Sequence, residues 1–236
     1  AEPDALRRFR AMVERRASGE PVHRILGRRG FYEHEFELSP ETLEPRPDTE
    51  VLVELAAKAI RMRAKPDLTF ADLGTGSGAI AVSLLALFPQ SRCVAVDLSE
   101  GALATARRNA VSAGVGSRFE AAAGDMLDAV DGPLDMLVSN PPYIPTSEIE
   151  RLSPDVRRHD PMLALDGGAD GLDAYRTIAD QLRRRPDRIG DVLLEIGAGQ
   201  GPDVEAIFAQ SGYVLRETGA DLPGHMRALW FCDSPA

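Results

Sequence analysis

The apolar positions of residues 4–17 fall on Ala5, Leu6, Phe9, Met12, Val13 and Ala17, the stripe of an amphipathic helix. One such helix cannot bury its face alone, so it packs on the body or belongs to a larger helical unit. Ser18-Gly19-Glu20-Pro21 ends it. From Phe31 to Leu38 the period changes to two: Tyr32, His34, Phe36 and Leu38 alternate with Glu33, Glu35 and Glu37, which predicts a half-buried strand within a hairpin. Pro45-Arg46-Pro47 is stiff and extended. Asp48 is placed to cap a helix carrying Glu50 in its first turn and Val51, Leu52, Leu55, Ala59 and Ile60 on its face.

Beyond Pro66, short apolar strands alternate with helices. Strands are expected at Leu68–Leu73, Cys93–Val96, Arg118–Ala122, Leu134–Ser139 and Val192–Ile196, and helices over Ala79–Phe88, up to Asn109, and over Asp203–Ser211. That alternation predicts a parallel sheet covered on both faces, closed by a final hairpin of Tyr213–Glu217 and Ala228–Cys232.

At 236 residues the chain makes one large domain or one with an appendage. Its longest apolar run, Ala79 to Phe88, is ten residues, half of what a membrane helix needs. The charged start lacks the apolar stretch of a signal peptide, and opening on Ala1 and not methionine favours a fragment. Cys93 and Cys232 cannot build a disulfide framework and suggest reduced thiols in a cytosol, so a cytoplasmic location is expected. Charge is uneven. Eight arginines against four acids give residues 1–30 a net +4, and the total of −10 leaves −14 for residues 31–236. An acidic body argues against sequence-independent binding to a phosphate backbone, and nucleic acid is not the expected partner.

Three constellations carry chemistry. Asp72-Leu73-Gly74-Thr75-Gly76-Ser77-Gly78-Ala79 lies between a strand and a helix, where glycines let the backbone approach a ligand and a helix start offers free amides. Asp97 ends the next strand, 19 residues after Gly78, near the spacing of an acid that accepts ribose hydroxyls. Its bland alternative is a helix N-cap, a role Ser99 fills equally well. Together these indicate an adenosine-containing ligand without saying which. Ser139-Asn140-Pro141-Pro142-Tyr143 follows the fourth strand of the sheet, beside the point where ligands bind in open parallel sheets. Two prolines stiffen the turn and remove two amide donors, leaving carbonyls that face outward. A planar amide or amino group would be gripped there by the Asn140 side-chain oxygen and a proline carbonyl, with Tyr143 stacked on it.

With these motifs in hand, the chain resembles the class I S-adenosylmethionine-dependent methyltransferases that act on planar nitrogen. Gly27 with Phe31-Tyr32, Leu43 to Glu50, Asp160-Pro161 and Ala164 to Leu172 narrow the resemblance to the HemK-type protein-(glutamine-N(5)) methyltransferases of peptide-chain release factors, over about Gly19 to Arg227. The resemblance implies an α/β fold: a seven-stranded Rossmann-like methyltransferase sheet with a terminal antiparallel hairpin, preceded by a β-hairpin and a remnant N-terminal helix. It implies residues 1–29 as the remnant of a substrate-docking domain, 30–66 as hairpin and linking helix, and 67–236 as the methyltransferase domain. It implies S-adenosylmethionine held by Gly74, Thr75, Gly76, Ser77, Gly78, Asp97, Asp125, Met126 and Asn140, with catalysis by Asn140, Pro141, Pro142 and Tyr143. The substrate would be the glutamine of a Gly-Gly-Gln loop in a release factor, the chain acting as a monomer and away from any membrane. Arg46 to Glu50 would form part of a lid, and what Glu50 does beyond helix capping stays open. Two departures stand out: the family's N-terminal helical domain is largely missing, and Met126 stands where many members carry an aromatic residue.

Rival readings are an adenine-N(6) methyltransferase acting on nucleic acid, a nicotinamide-dependent oxidoreductase and a non-catalytic nucleotide-binding module. The second leaves Asn140 to Tyr143 unexplained. His23, His34, His159 and His225 form no helical pair, so no metal site is expected. Cys93 reads as core. Asp166, Asp170 and Asp173 read as loop and cap residues, and Arg183 to Arg185 as a helix end.

Overall fold

The computed structural model describes residues 3–233; Ala1, Glu2 and residues 234–236, the outer ends of the first and last expected domains, lie outside the described residues. The N-terminal stripe forms helix α1 (Pro3–Ala17), and its apolar face stays in water, with Leu6, Phe9, Met12 and Val13 all exposed. A short helix α2 (Val22–Leu26) ends on Gly27 in the left-handed conformation and leads into the hairpin β1 (Arg28–Phe31) and β2 (His34–Glu37).

Here the single strand expected over Phe31–Leu38 is corrected. The chain reverses at Tyr32-Glu33, with Tyr32 at φ 51°. The glutamates keep period two through the turn, so alternation alone could not reveal it. The Glu50 carboxylate accepts the Tyr32 N–H at 3.0 Å, which holds that strained turn and gives Glu50 a structural task. Phe31 and Phe36 meet edge to face, 6.1 Å apart, and bury against the sheet's first core. Helix α3 (Glu50–Arg63) follows a single 3-10 turn, Pro47–Thr49. Asp48 lies inside that turn and caps nothing by its side chain, a second correction; its carboxylate instead faces Arg227 at 3.1 Å.

The sheet then assembles in the order β5-β4-β3-β6-β7-β9-β8. Its strands are β3 (Thr69–Leu73), β4 (Arg92–Asp97), β5 (Phe119–Ala123), β6 (Met136–Ser139), β7 (Asp191–Glu195), β8 (Tyr213–Ala220) and β9 (Met226–Asp233). The first five are mutually parallel, and β9 runs antiparallel between β7 and β8. The strands β3, β6 and β7 are buried on both faces, as near-continuous apolar runs require. One face is covered by α3, by α4 (Ala79–Leu87), which is apolar all round and buried, and by α5 (Glu100–Ser112). After a short helix α6 (Pro154–His159), the opposite face takes α7 (Asp173–Arg184) and α8 (Gly201–Ala209). The chain goes outward from β3 through β4 to β5 and then crosses back to β6. The switch in strand order therefore lies between the carboxyl ends of β3 and β6, where open α/β sheets bind ligands.

Candidate active site

A cleft of about 420 Å³ opens at that switch point, within the range of small-molecule sites. Its floor is the β3–α4 loop. Gly74, Gly76 and Gly78 all have positive φ, and a Cβ at Gly78 would sit 3.1 Å from the Ala106 Cβ, so the third glycine lets α4 and α5 pack closely. Thr75 turns its hydroxyl inward to donate to Asp72 at 2.7 Å, and the Ser77 carbonyl accepts from Asn109 at 2.8 Å. Asn109 also exchanges hydrogen bonds with both backbone groups of Glu37, so one buried amide ties the N-terminal hairpin to the glycine loop.

Asp97 stands at the side of this floor. Its carboxylate accepts the N–H of Gly76 and of Ser99, each at 2.9 Å. Burial pushes its pKa up, opposed by these backbone donors. Each oxygen keeps a free lone pair. The helix cap falls to Ser99, whose hydroxyl accepts from Ala102 at 3.1 Å, so Asp97 is not occupied as a cap of α5. Asp125 lines the same side, where Met126 and Leu98 make an apolar flank. That turn is held from behind by Gln181 of α7, 2% exposed, which accepts from Leu127 and donates to the Asp125 carbonyl.

The opposite wall carries Asn140 and Pro142. The Asn140 amide donates to the Thr49 hydroxyl at 3.3 Å, and among the described residues nothing donates to the carbonyls of Pro141 or Pro142. Pro141 is buried beneath the cleft, and neither it nor Tyr143 lines it. The Tyr143 ring passes within 3.0 Å of where a Gly197 Cβ would stand, and its carbonyl accepts from Gln200 at 3.0 Å. Gly167 and Gly171 leave room for the backbone of Pro142 and Tyr143, since a Cβ on either would lie under 3 Å from it. The structure thus gathers Gly74 to Gly78, Asp97, Asp125, Met126, Asn140 and Pro142 near one cleft and sets Pro141 and Tyr143 behind its wall.

The roof is a strap of Pro40 to Thr49 facing Pro161 to Ala164. Arg24 and Arg46 both donate to the buried Asp160, at 2.7 and 2.6 Å, which fastens the strap to the outer wall. Arg46 and Thr49 reach the cleft, and Glu50 does not. Behind Asn140 lies Glu195, at the end of β7 and 3% exposed. Burial drives its pKa up to about 7, and the nearby Asp48 carboxylate adds to this; the Thr49 hydroxyl, the Arg227 charge and the Asn140 amide oppose it. Thr49 falls within the expected lid, Arg46 to Glu50, whereas Asn109, Gln181 and Glu195 were not among the expected site residues. Their one signal was a polar residue at the edge of an apolar run, as in Val192 to Glu195. Among the described residues no group of three His, Cys, Asp or Glu side chains is arranged to hold a metal.

Glycine loop, strand-end acid and sheet order together define a class I methyltransferase. Residues 48–152 match the family described as Methyltransferase small domain, and residues 1–27 match the PrmC N-terminal domain. The release factor glutamine methyltransferase of Agrobacterium fabrum is 48% identical over 97% of this chain and 80% of its own length, and that of Bradyrhizobium diazoefficiens is 48% identical over 92% and 74%. Among solved structures, the ribosomal protein L11 methylase of Lactobacillus delbrueckii superposes with a TM-score of 0.61 at 22% identity, covering 84% of each chain, a likeness of fold. This chain belongs to the release factor glutamine methyltransferase family. That membership does not favour the adenine-N(6) alternative.

Proposed function

We propose that this chain transfers a methyl group from S-adenosylmethionine to the side-chain amide nitrogen of the glutamine in the Gly-Gly-Gln loop of peptide-chain release factors. The observation that carries this reading is the Asn140 amide. Its NH2 donates to the Thr49 hydroxyl, and its oxygen, to which no group among the described residues donates, stays free to accept protons in the wall opposite the glycine loop.

The residues fit the cofactor. The backbone amides of Gly74 to Gly78 could take its carboxylate end, Asp97 would accept its ribose hydroxyls, and Leu98 with Met126 would flank the adenine. When bound, S-adenosylmethionine supplies an electrophilic methyl on a sulfonium. A glutamine amide is a poor nucleophile because its lone pair is shared with the carbonyl. The Asn140 oxygen and a Pro141 or Pro142 carbonyl accept its two N–H bonds and aim the nitrogen. Orientation of this kind can lower a barrier by about 7–11 kcal/mol. The spare proton leaves to water, and no general base is assigned. Tyr143, its ring near Gly197 and its carbonyl accepting from Gln200, anchors the end of the turn that carries the two prolines. The exposed apolar face of α1 contributes to docking the whole release factor.

The test is labelled-methyl transfer from S-adenosylmethionine to a release factor, to DNA and to RNA. Label on the release factor alone supports the reading. Label on adenine in nucleic acid overturns it.

A further inference from the structure

Glu195 is a buried acid that the proposed chemistry leaves idle. It ends β7, and the parallel register that sets Ser139 of β6 beside Leu194 brings Asn140 next to it. Its Oε2 has no hydrogen-bond partner among the described residues. Its polar neighbours are the Thr49 hydroxyl and the Asn140 amide. Charged and titratable groups face it from every side: Asp48 from the strap, Arg227 from β9, Tyr143 from the wall and Tyr175 from α7, whose hydroxyl donates to the Glu195 carbonyl at 2.9 Å.

The polarity of this cluster has a direction. Thr49 has one proton to give and already accepts from Asn140. Its own proton then goes to Glu195, which as a carboxylate only accepts. We propose, on the basis of the function above, that Glu195 is a positioning residue: its carboxylate draws the Thr49 hydroxyl and the Asn140 NH2 inward, so that the Asn140 oxygen faces the substrate amide. A neutral Glu195 has a proton to donate. It turns the Thr49 hydroxyl around, Thr49 donates to the Asn140 oxygen, and the Asn140 NH2 swings toward the cleft. There it faces the NH2 of the substrate, donor against donor, and the grip is lost.

The consequence is a pH limit built into the wall of the site. Burial holds the Glu195 carboxyl near 7, so the productive orientation fades as pH falls through that value. Rate should follow one proton, falling about tenfold per pH unit below the midpoint, with the larger change in kcat and the smaller in KM for a Gly-Gly-Gln peptide. Glu195→Gln can donate to Thr49 at every pH. It should be at least about tenfold slower than wild type at pH 8 and nearly flat in pH. Thr49→Ser should keep the acid limb, and Thr49→Val should lose it.

A second readout needs no turnover. The side-chain amide nitrogen of Asn140, followed by NMR in the free protein, should move with a midpoint near 7 in wild type and stay put in Glu195→Gln and Thr49→Val. An Asn140 signal that does not titrate, or an acid limb that survives in Glu195→Gln, overturns the proposal. If wild type methylates no Gly-Gly-Gln peptide at any pH, the functional reading fails, and the Asn140 titration still decides the relay.

Discussion

Strand β7 carries a buried carboxylate at each end, and the two are treated oppositely. Asp191 and Glu195 are both 3% exposed. Asp191, at the start of the strand, accepts the Trp230 indole N–H at 2.8 Å and the Arg63 guanidinium, so α3 and β9 are both anchored to it. Glu195, four residues on, has an oxygen with no partner and a pKa pushed up to about 7. Asp72, near the end of β3, repeats the second pattern: it is fully buried, one oxygen is unpartnered, and burial drives it up to about 7. Satisfied groups of this kind hold the fold, and unsatisfied ones sit where the cleft opens. Buried polar groups left without partners cost stability, and they gather at sites that need their capacity.

Exchanging the two ends of β7 should therefore separate stability from activity. The largest expected effect is on folding. Asp191→Ala leaves Arg63 and the Trp230 indole without their partner and should cost about 3 kcal/mol, read by chemical denaturation, while kcat per folded molecule stays close to wild type. A loss of activity larger than the loss of folded protein would break the contrast. Asn140→Ala should do the reverse. It lowers kcat on the order of a hundredfold or more, leaves the denaturation midpoint near wild type and keeps most of the cofactor affinity. Asp97→Ala belongs to the other side of the cleft and should weaken S-adenosylmethionine by about 1–3 kcal/mol, measured by calorimetry. Unchanged affinity would remove the ribose-binding role.

The smallest effect is a slope. A raised carboxyl pKa means that the folded state penalises the charged form. Stability is highest below the unfolded value of 4.5, falls as pH rises toward about 7, and is level above that. Replacing Glu195 by Gln removes this component, so Tm should decline less between pH 4.5 and pH 7 than it does in wild type. A wild-type slope kept intact in the variant would mean that Glu195 does not titrate in that window.

The same contrast explains what the sequence could reveal. Gly74 to Ala79, Asp97 and Asn140 to Tyr143 are legible because each reports on local backbone: a tight turn, a strand end, a proline-stiffened loop. The sheet and its terminal hairpin are legible for a similar reason, through apolar runs of strand length. Asn109, Gln181 and Glu195 are not, because their meaning lies in partners 72, 54 to 56 and 146 residues away, and locally each passes for an ordinary helix or strand residue. The turn at Tyr32 is hidden because it uses no glycine, its positive φ being stabilised by Glu50 from α3. The Tyr143 ring is another such case. Two prolines announce a rigid turn without saying which way the next side chain leaves it, and here it leaves toward Gly197.

The central claim is that the wall bearing Asn140 presents a planar amide nitrogen to the methyl donor. It is tested most directly by incubating a Gly-Gly-Gln peptide with S-adenosylmethionine and the wild-type or Asn140→Ala chain, then locating the added methyl by fragment mass spectrometry. The account predicts one methyl on the glutamine side-chain nitrogen with wild type and almost none with the variant. A methyl on another atom, or equal yields from the two chains, would contradict it.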